Sequence, residues 1–232
     1  MDKHDIVYIL KNDYESDEIR YSLRSVCKNF PYNKVWFYGG CPAGIEPDEL
    51  VELKQAGDNK WQKVNYTLKT VCSNPDITEK FWLFNDDFFV MKRIRQLPPM
   101  VGGSLYARIK EIRDSHGGHD SLYSEQLMTT AKILKSKGYD RLNYALHVPI
   151  LIDREKGLQT LKEFNGYPMF RSLYGNQHKI GGIISDDVKI VSETERPTEK
   201  ELLLSTCDTS FRKGFVGEYI RAAFPEKCKY EL

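Results

Sequence analysis

The chain has 232 residues, enough for one α/β domain with a substantial core and no need of disulfide staples. Its 34 basic and 33 acidic residues leave a net charge of +1, which excludes a general attraction to nucleic acid or anionic membrane, so any anion site must come from local placement. The five cysteines (Cys27, Cys41, Cys72, Cys207, Cys228) are scattered, odd in number and never spaced C-x-x-C, which argues against a zinc site or a disulfide framework and for a reducing cytosol.

The opening MDKHDIVYILKND has too short an apolar run for a signal peptide or a membrane span. No later stretch approaches transmembrane length, so a cytoplasmic protein without integral membrane contact is expected. Asp5 to Leu10 is β-branched and aromatic and reads as a buried first strand. Asp17 to Asn29 places Ile19, Leu23 and Val26 on one helical face, with Ser16 or Asp17 as cap. Lys34 to Tyr38 reads as a second strand closed by Gly39-Gly40, which makes a βαβ unit and implies a parallel sheet. Ile45 to Gly57 reads as loop and a short helix, Trp61 to Cys72 as a helix, and Phe81 to Phe84 as a third strand, with apolar character resuming at Phe88-Phe89-Val90. Further on, Met100 to Ile109 reads as strand, Arg113 to Asp120 as a polar flexible loop, Ser121 to Lys137 as helix and Tyr144 to Leu151 as strand. Asp153 to Phe164 reads as helix, Gly181 to Val191 as a hairpin or edge strands, and Phe215 to Ala223 as a last helix. With no repeat or low-complexity linker, one catalytic domain is expected over 1–232: a nucleotide-sugar-binding half in 1–95, an acceptor and lid half in 96–232.

The sharpest feature is Asn85-Asp86-Asp87, where the third strand ends. Ligands of open α/β sheets bind outside the carboxyl ends of the strands. Carboxylates facing a diphosphate imply a bridging hard cation, and Mg²⁺ or Mn²⁺ takes oxygen ligands from one or two carboxylates plus substrate phosphates. Asp86 and Asp87 are therefore metal candidates, and the apolar residues on both flanks favour that reading over a plain strand-end turn. A second pair, Asp186-Asp187, lies between glycines and charged residues and reads as a hairpin turn.

Arg20 and Arg24, four apart on one helical face, suit a bidentate grip on a diphosphate, or else salt bridges to Glu15 or Asp17. Lys60, Lys63, Asn65 and Asn85 are candidates for the donor's base or phosphates, and Arg171 either contacts a phosphate or caps a turn. His147, just before Val148-Pro149, is a general-base candidate because the unperturbed pKa of a histidine side chain lies near neutrality. His116 and His119, in RDSHGGHD, suit a flexible lid better than a metal site.

Several segments together resemble the Stealth family, the sugar-phosphate transferases of capsule synthesis. DIVYILKND (5–13) looks like a degraded first motif, EIRYSLRSV (18–26) and ITEKFWLFNDDFFV (77–90) are similar to the second region, LHVPILIDR (146–154) to the third, and STCDTSF (205–211) with FPEKCKYE (224–231) to the fourth. The resemblance implies a glycosyltransferase-A-like α/β fold with a mixed, mostly parallel sheet flanked by helices. It also implies roles for Arg20 and Arg24, for Asp86 and Asp87 as the acidic centre, and for His147. The expected function is a metal-assisted transferase moving a sugar or a sugar phosphate from a nucleotide-sugar, a UDP-sugar first of all, to a glycan, teichoic-acid-like or lipid-linked acceptor. In outline, a cation on Asp86 or Asp87 neutralises the diphosphate, while Asp87 or His147 deprotonates the acceptor hydroxyl. A non-catalytic glycan- or nucleotide-binding module derived from such an enzyme is the competing expectation.

Overall fold

The computed structural model describes residues 3–13 and 16–232; the expected Glu15 salt bridge lies outside them. In chain order, β1 (Asp5–Leu10) leads through α1 (Glu18–Asn29) to β2 (Val35–Gly39), β3 (Glu49–Val51), α2 (Lys60–Ser73) and β4 (Lys80–Phe84). Next come β5 (Phe88–Val90), β6 (Met100–Val101), α3 (Leu105–Ser115), α4 (Leu122–Ser136), β7 (Ile150–Asp153), α5 (Arg154–Glu163) and α6 (Phe170–Gln177). The chain continues through β8 (Ile183–Ile184), β9 (Lys189–Ile190), β10 (Leu203–Thr206), α7 (Asp208–Lys213) and α8 (Phe215–Ala223).

The main sheet has the order β3-β2-β1-β4-β7, parallel throughout except that β7 runs antiparallel to β4. Alternation along β1 explains its two-sided burial. Ile6, Tyr8 and Leu10 join Ile19, Leu23 and Val26 of α1 on one face, while Val7 meets Leu68 and Val71 of α2 on the other. Helices thus cover both faces, the expected mixed and mostly parallel α/β arrangement. At the amino edge, buried Asp5 accepts hydrogen bonds from Asn33, Trp36 and the Thr78 backbone, which ties the starts of β1, β2 and β4 together. At the carboxyl edge, β2 closes on Gly39 at φ 109°, where an added Cβ would lie 2.1 Å from the Leu10 carbonyl oxygen, so the close pass requires glycine there.

A smaller sheet, β5-β10-β9, grows from the residues just after Asp87, with β5 antiparallel and β9 parallel to β10. Its far face packs Phe89, Ile190 and Leu204 on Phe211, Val216 and Ile220. Beyond α4, α3 completes a helical layer in which Leu105, Ile109 and Ile112 meet Leu127, Ala131 and Leu134.

Three expectations are corrected. Glu49–Val51 is an edge strand with no helix in its stretch, drawn into extension by pairing with β2. Only Met100–Val101 is strand in the 100–109 segment; Ser104 then caps α3 by accepting from the Ala107 amide, and α3 runs on to Ser115. The strand expected over 144–151 begins only at Ile150, because the amides of Tyr144 and His147 donate to the Ser172 and Asp187 side chains. Of the two readings of Gly181–Val191, edge strands are found and not a hairpin: its two short strands pair with β6 and β10 and not with each other.

Candidate active site

The parallel sheet sets the location. Leaving β4, the chain delivers Asn85, Asp86 and Asp87 at the carboxyl edge, and β7, running the other way, starts at the same edge with His147 just ahead of it. Asn85 is exposed, while Asp86 and Asp87 are half-buried. The smaller sheet folds back over this edge, so the loop before β9 brings Asp187 to His147. The Nδ1 of His147 lies 2.8 Å from Asp187 Oδ2, and the His147 amide donates to Oδ1 at 3.0 Å. Burial pulls the Asp187 carboxyl up, but the bonds from His147, with help from the charge of Arg108, together hold it below the usual carboxylate range.

Because an ionised carboxylate only accepts, this contact assigns the proton of neutral His147 to Nδ1 and leaves the Nε2 lone pair open. The Phe88 ring meets the imidazole edge-on with centroids 6.5 Å apart, which fixes its plane further.

Arg171, on the first turn of α6, lies beneath this group. Its guanidinium donates to the carbonyls of Leu83, Leu146 and Val148 and to Asn85 Oδ1, and sits 5.2 Å from the Phe88 ring centroid. Burial lowers its pKa to about 10, and the charges of Asp87 and Asp187 act the other way. It therefore ties the end of β4 to the approach to β7, and its charge faces both aspartates.

Asp87 has two unlike oxygens. Oδ2 is 3.0 Å from the Lys189 ammonium of β9. Oδ1 is buried and has no hydrogen-bond partner among the described residues. An orphaned carboxylate oxygen at this place suits a cation. Among the described residues no group of three or more His, Cys, Asp or Glu side chains is arranged to hold a metal. Asp86 and Asp87 thus fit Mg²⁺ or Mn²⁺ only where substrate phosphates and water complete the shell. His116 does not join them: its Nδ1 lies 2.7 Å from the Ile112 carbonyl oxygen, at the end of α3.

Glu18, the first residue of α1, adds a third acid. It is 5% exposed, accepts from Thr206 Oγ1 at 2.6 Å and from Ser16 Oγ at 3.0 Å. Burial pushes its pKa up to about 7, with the Asp86 and Asp87 charges adding to the rise and the Thr206 bond opposing it.

The remaining candidates divide. Asn59 caps α2 by accepting from the Trp61 and Gln62 amides, which sets Lys60 and Lys63, both exposed, at the carboxyl edge. Asn65 donates instead to the Tyr167 carbonyl at 2.9 Å. Arg20 and Arg24 are engaged with other partners. Arg24 pairs bidentately with Glu231 at 2.7 Å on both arms and donates to the Phe224 carbonyl, while Arg20 donates to Ala43 and Gly44 and pairs with Asp17. Their donors hold the C-terminal segment and the 42–45 loop.

Sequence reasoning missed Lys189 and Glu18 and took Asp187 for a turn. The only signal was the likeness of Asp186-Asp187 to the first pair. A cavity of about 670 Å³ lined by Arg108, Tyr123 and Ser121 opens between α3 and α4. Arg108 and Tyr123 on its wall both feel the charge of Asp187.

No protein family matches the sequence, and no curated protein does. Among solved structures, the chain is similar to the galactosyltransferase LgtC in complex with donor and acceptor sugar analogs, at 11% identity and a TM-score of 0.47, over 97% of this chain and 96% of that one. It is also similar to the apo-form glycosyltransferase GlyE of Streptococcus pneumoniae TIGR4, at 11% identity and a TM-score of 0.36, over 79% of this chain and 45% of that one. At such distance the chemistry rests on the residues of the site itself. Among the described residues no helix is long and apolar enough to cross a membrane.

Proposed function

We propose that the chain is a nucleotide-sugar-dependent transferase that moves a sugar or a sugar phosphate onto a hydroxyl of a glycan, teichoic-acid-like or other cell-surface acceptor. One observation carries the reading: Asp87, with a buried unpartnered oxygen, stands at the carboxyl edge of a parallel sheet beside a hydrogen-bonded His147–Asp187 pair. That is a cation-holding group next to an oriented base, the two parts that displacement at a nucleotide-activated centre needs.

Asp86 and Asp87 are the residues to hold Mn²⁺ or Mg²⁺, which when bound supplies positive charge to the departing phosphate. Lys60 and Lys63, exposed at the same edge, are placed to meet the donor's phosphates. His147, with Nδ1 directed at Asp187, takes the acceptor proton at Nε2. Arg171 keeps Asn85 and the His147 approach in register through the Leu83, Leu146 and Val148 carbonyls. The acceptor enters along the α3–α4 cavity, where Tyr123 offers a sugar-stacking ring. Residues before 96 supply the acidic pair and residues after 96 supply His147, Asp187 and Lys189, so the halves act as one catalytic unit.

Two versions of the transfer fit this site: in sugar transfer the bond from anomeric carbon to oxygen breaks and the nucleoside diphosphate leaves, whereas in sugar-phosphate transfer the P–O bond to the nucleoside monophosphate breaks and positioning with charge stabilisation dominates. A UDP-sugar is the donor to try first, and the five free thiols fit a reducing cytoplasmic setting.

Phosphorus NMR of the full chain with UDP-sugars and Mn²⁺ tests the reading. Release of UMP with a new phosphodiester identifies sugar-phosphate transfer, and release of UDP identifies glycosyl transfer. Asp86→Ala and Asp87→Ala should each lower turnover by about a hundredfold or more while remaining folded. Failure of the wild type to turn over any nucleotide-sugar, or full activity in both variants, removes the proposal.

A further inference from the structure

Asp87 already has a cation, and it comes from the far side of the smaller sheet. The ladder fixes where Lys189 stands: Ser205 pairs with Phe88 on one side and with Lys189 on the other, so Lys189 lies two strands from the residue that follows Asp87. Strands are spaced by about 4.8 Å, so a long side chain is needed to reach back. Lys189 does so, at 3.0 Å from Oδ2, with the two side chains only 22% and 14% exposed. A lysine ammonium is a compact point charge on a flexible stem, unlike the planar fork of arginine. It therefore binds one oxygen and leaves Oδ1 unpartnered, the state observed. Three acids meet at this edge, since Glu18 feels the charges of both Asp86 and Asp87. Without a neighbouring positive charge they would repel one another strongly in a half-buried setting.

We propose that Lys189 is the resident counter-cation of the acidic strand end, competing with divalent metal for Asp87 until the donor diphosphate arrives. The inference rests on the assignment of Asp86 and Asp87 as metal-holding residues. A metal held by Asp87 would be repelled by the ammonium on Oδ2, so donor-free metal binding would be weak. The diphosphate brings negative charge that both cations can share, so donor and metal strengthen each other's binding. Lys189 then sits beside the leaving phosphate as a second positive group.

The test is Mn²⁺ binding to the full chain without donor, followed by electron paramagnetic resonance of the free ion, for wild type, Lys189→Met and Lys189→Arg. Removing the charge should tighten Mn²⁺ binding about tenfold or more, equivalent to about 1.4 kcal/mol. Keeping the charge, in Lys189→Arg, should leave the affinity near the wild-type value. Added UDP should raise the wild-type affinity for Mn²⁺ more than that of Lys189→Met. Circular dichroism checks folding, and Lys189→Gln replaces the methionine variant if that one does not fold. Equal or weaker Mn²⁺ binding in the uncharged variant overturns the proposal, as does an absence of Mn²⁺ binding in all three. Turnover of nucleotide-sugar by the wild type, measured separately, shows whether the transferase reading survives that failure.

Discussion

In the proposed reaction the imidazole of His147 serves only in one tautomer, and the contact with Asp187 selects it. Replacing Asp187 by Asn substitutes an amide that can donate to Nδ1, which would place the ring proton on Nε2 and remove the lone pair from the reacting side. Asp187→Asn should therefore lower kcat by about 10²–10⁴ while the affinity for UDP measured by calorimetry stays the same. His147→Ala should cost a similar factor, and the double variant little more than either alone, since the two act as a unit. Wild-type kcat in Asp187→Asn would show that the contact is merely structural. The position of the acidic triplet was legible at this scale: Asn85-Asp86-Asp87 follows the aromatic run of β4 and stands where that strand leaves the sheet. Lys189 was not legible, since a single lysine in a two-residue strand carries no pattern, and its meaning comes from Asp87, 102 residues away. The arginines mislead for the converse reason. Their spacing identifies a shared helical face but not what that face meets.

Among the elements, α1 is held by the C-terminal segment that it anchors. The Glu231 side chain is 1% exposed and that of Arg24 11%, and the bidentate pair joins residues 207 apart in sequence. Breaking it by Arg24→Ala leaves a buried carboxylate without its partner, at a cost of about 3 kcal/mol. Urea denaturation should show that loss with donor affinity unchanged. A fall in donor affinity at constant stability would restore the diphosphate grip expected from the sequence. Elements with strong periodicity and clear ends, β1 and α8, agree with the sequence reading to the residue. Those it misplaced depend on distant partners. α3 was obscured by the β-branched and aromatic residues scattered through 100–109. α6 starts from Met169 at φ 59°, a left-handed start that sequence does not advertise. β3 and β9, of three and two residues, exist as rungs beside the longer β2 and β10, while β6 and β8, two residues each, pair with one another.

For the molecule as a whole, the gathered acids set a pH dependence. Burial, joined by the Asp86 and Asp87 charges, raises Glu18 from an ordinary 4.5 to about 7. Between those values the folded chain binds more protons than the unfolded one, so stability falls as pH rises from about 4.5 to about 7 and is flat above. The change from this one group is about 3 kcal/mol. Glu18→Gln should remove it: the variant should match the parent near pH 4 and exceed it by up to that amount at pH 8, measured by urea unfolding at both values. A difference independent of pH would mean that Glu18 titrates normally. The parallel sheet itself was readable from the first βαβ unit and the ordered apolar strands. The second sheet, which carries Lys189 and shapes the approach to the acids, was not, because its strands are short and far apart in sequence.

The antiparallel pairing of β7 with β4 has a geometric corollary. Leu83 and Ile150 form one rung, and from that rung Asp86 lies three residues forward along one strand and His147 three residues back along the other. The two arms are matched in length, measured from a common, buried fulcrum. One residue inserted into either arm would displace its group by about 3.3 Å, beyond hydrogen-bonding reach of its counterpart's ligands, while every core contact below the rung stayed in place. Spacing within Asn85–Asp86 and within His147–Pro149 is thus constrained to the residue, although neither stretch belongs to a strand pair.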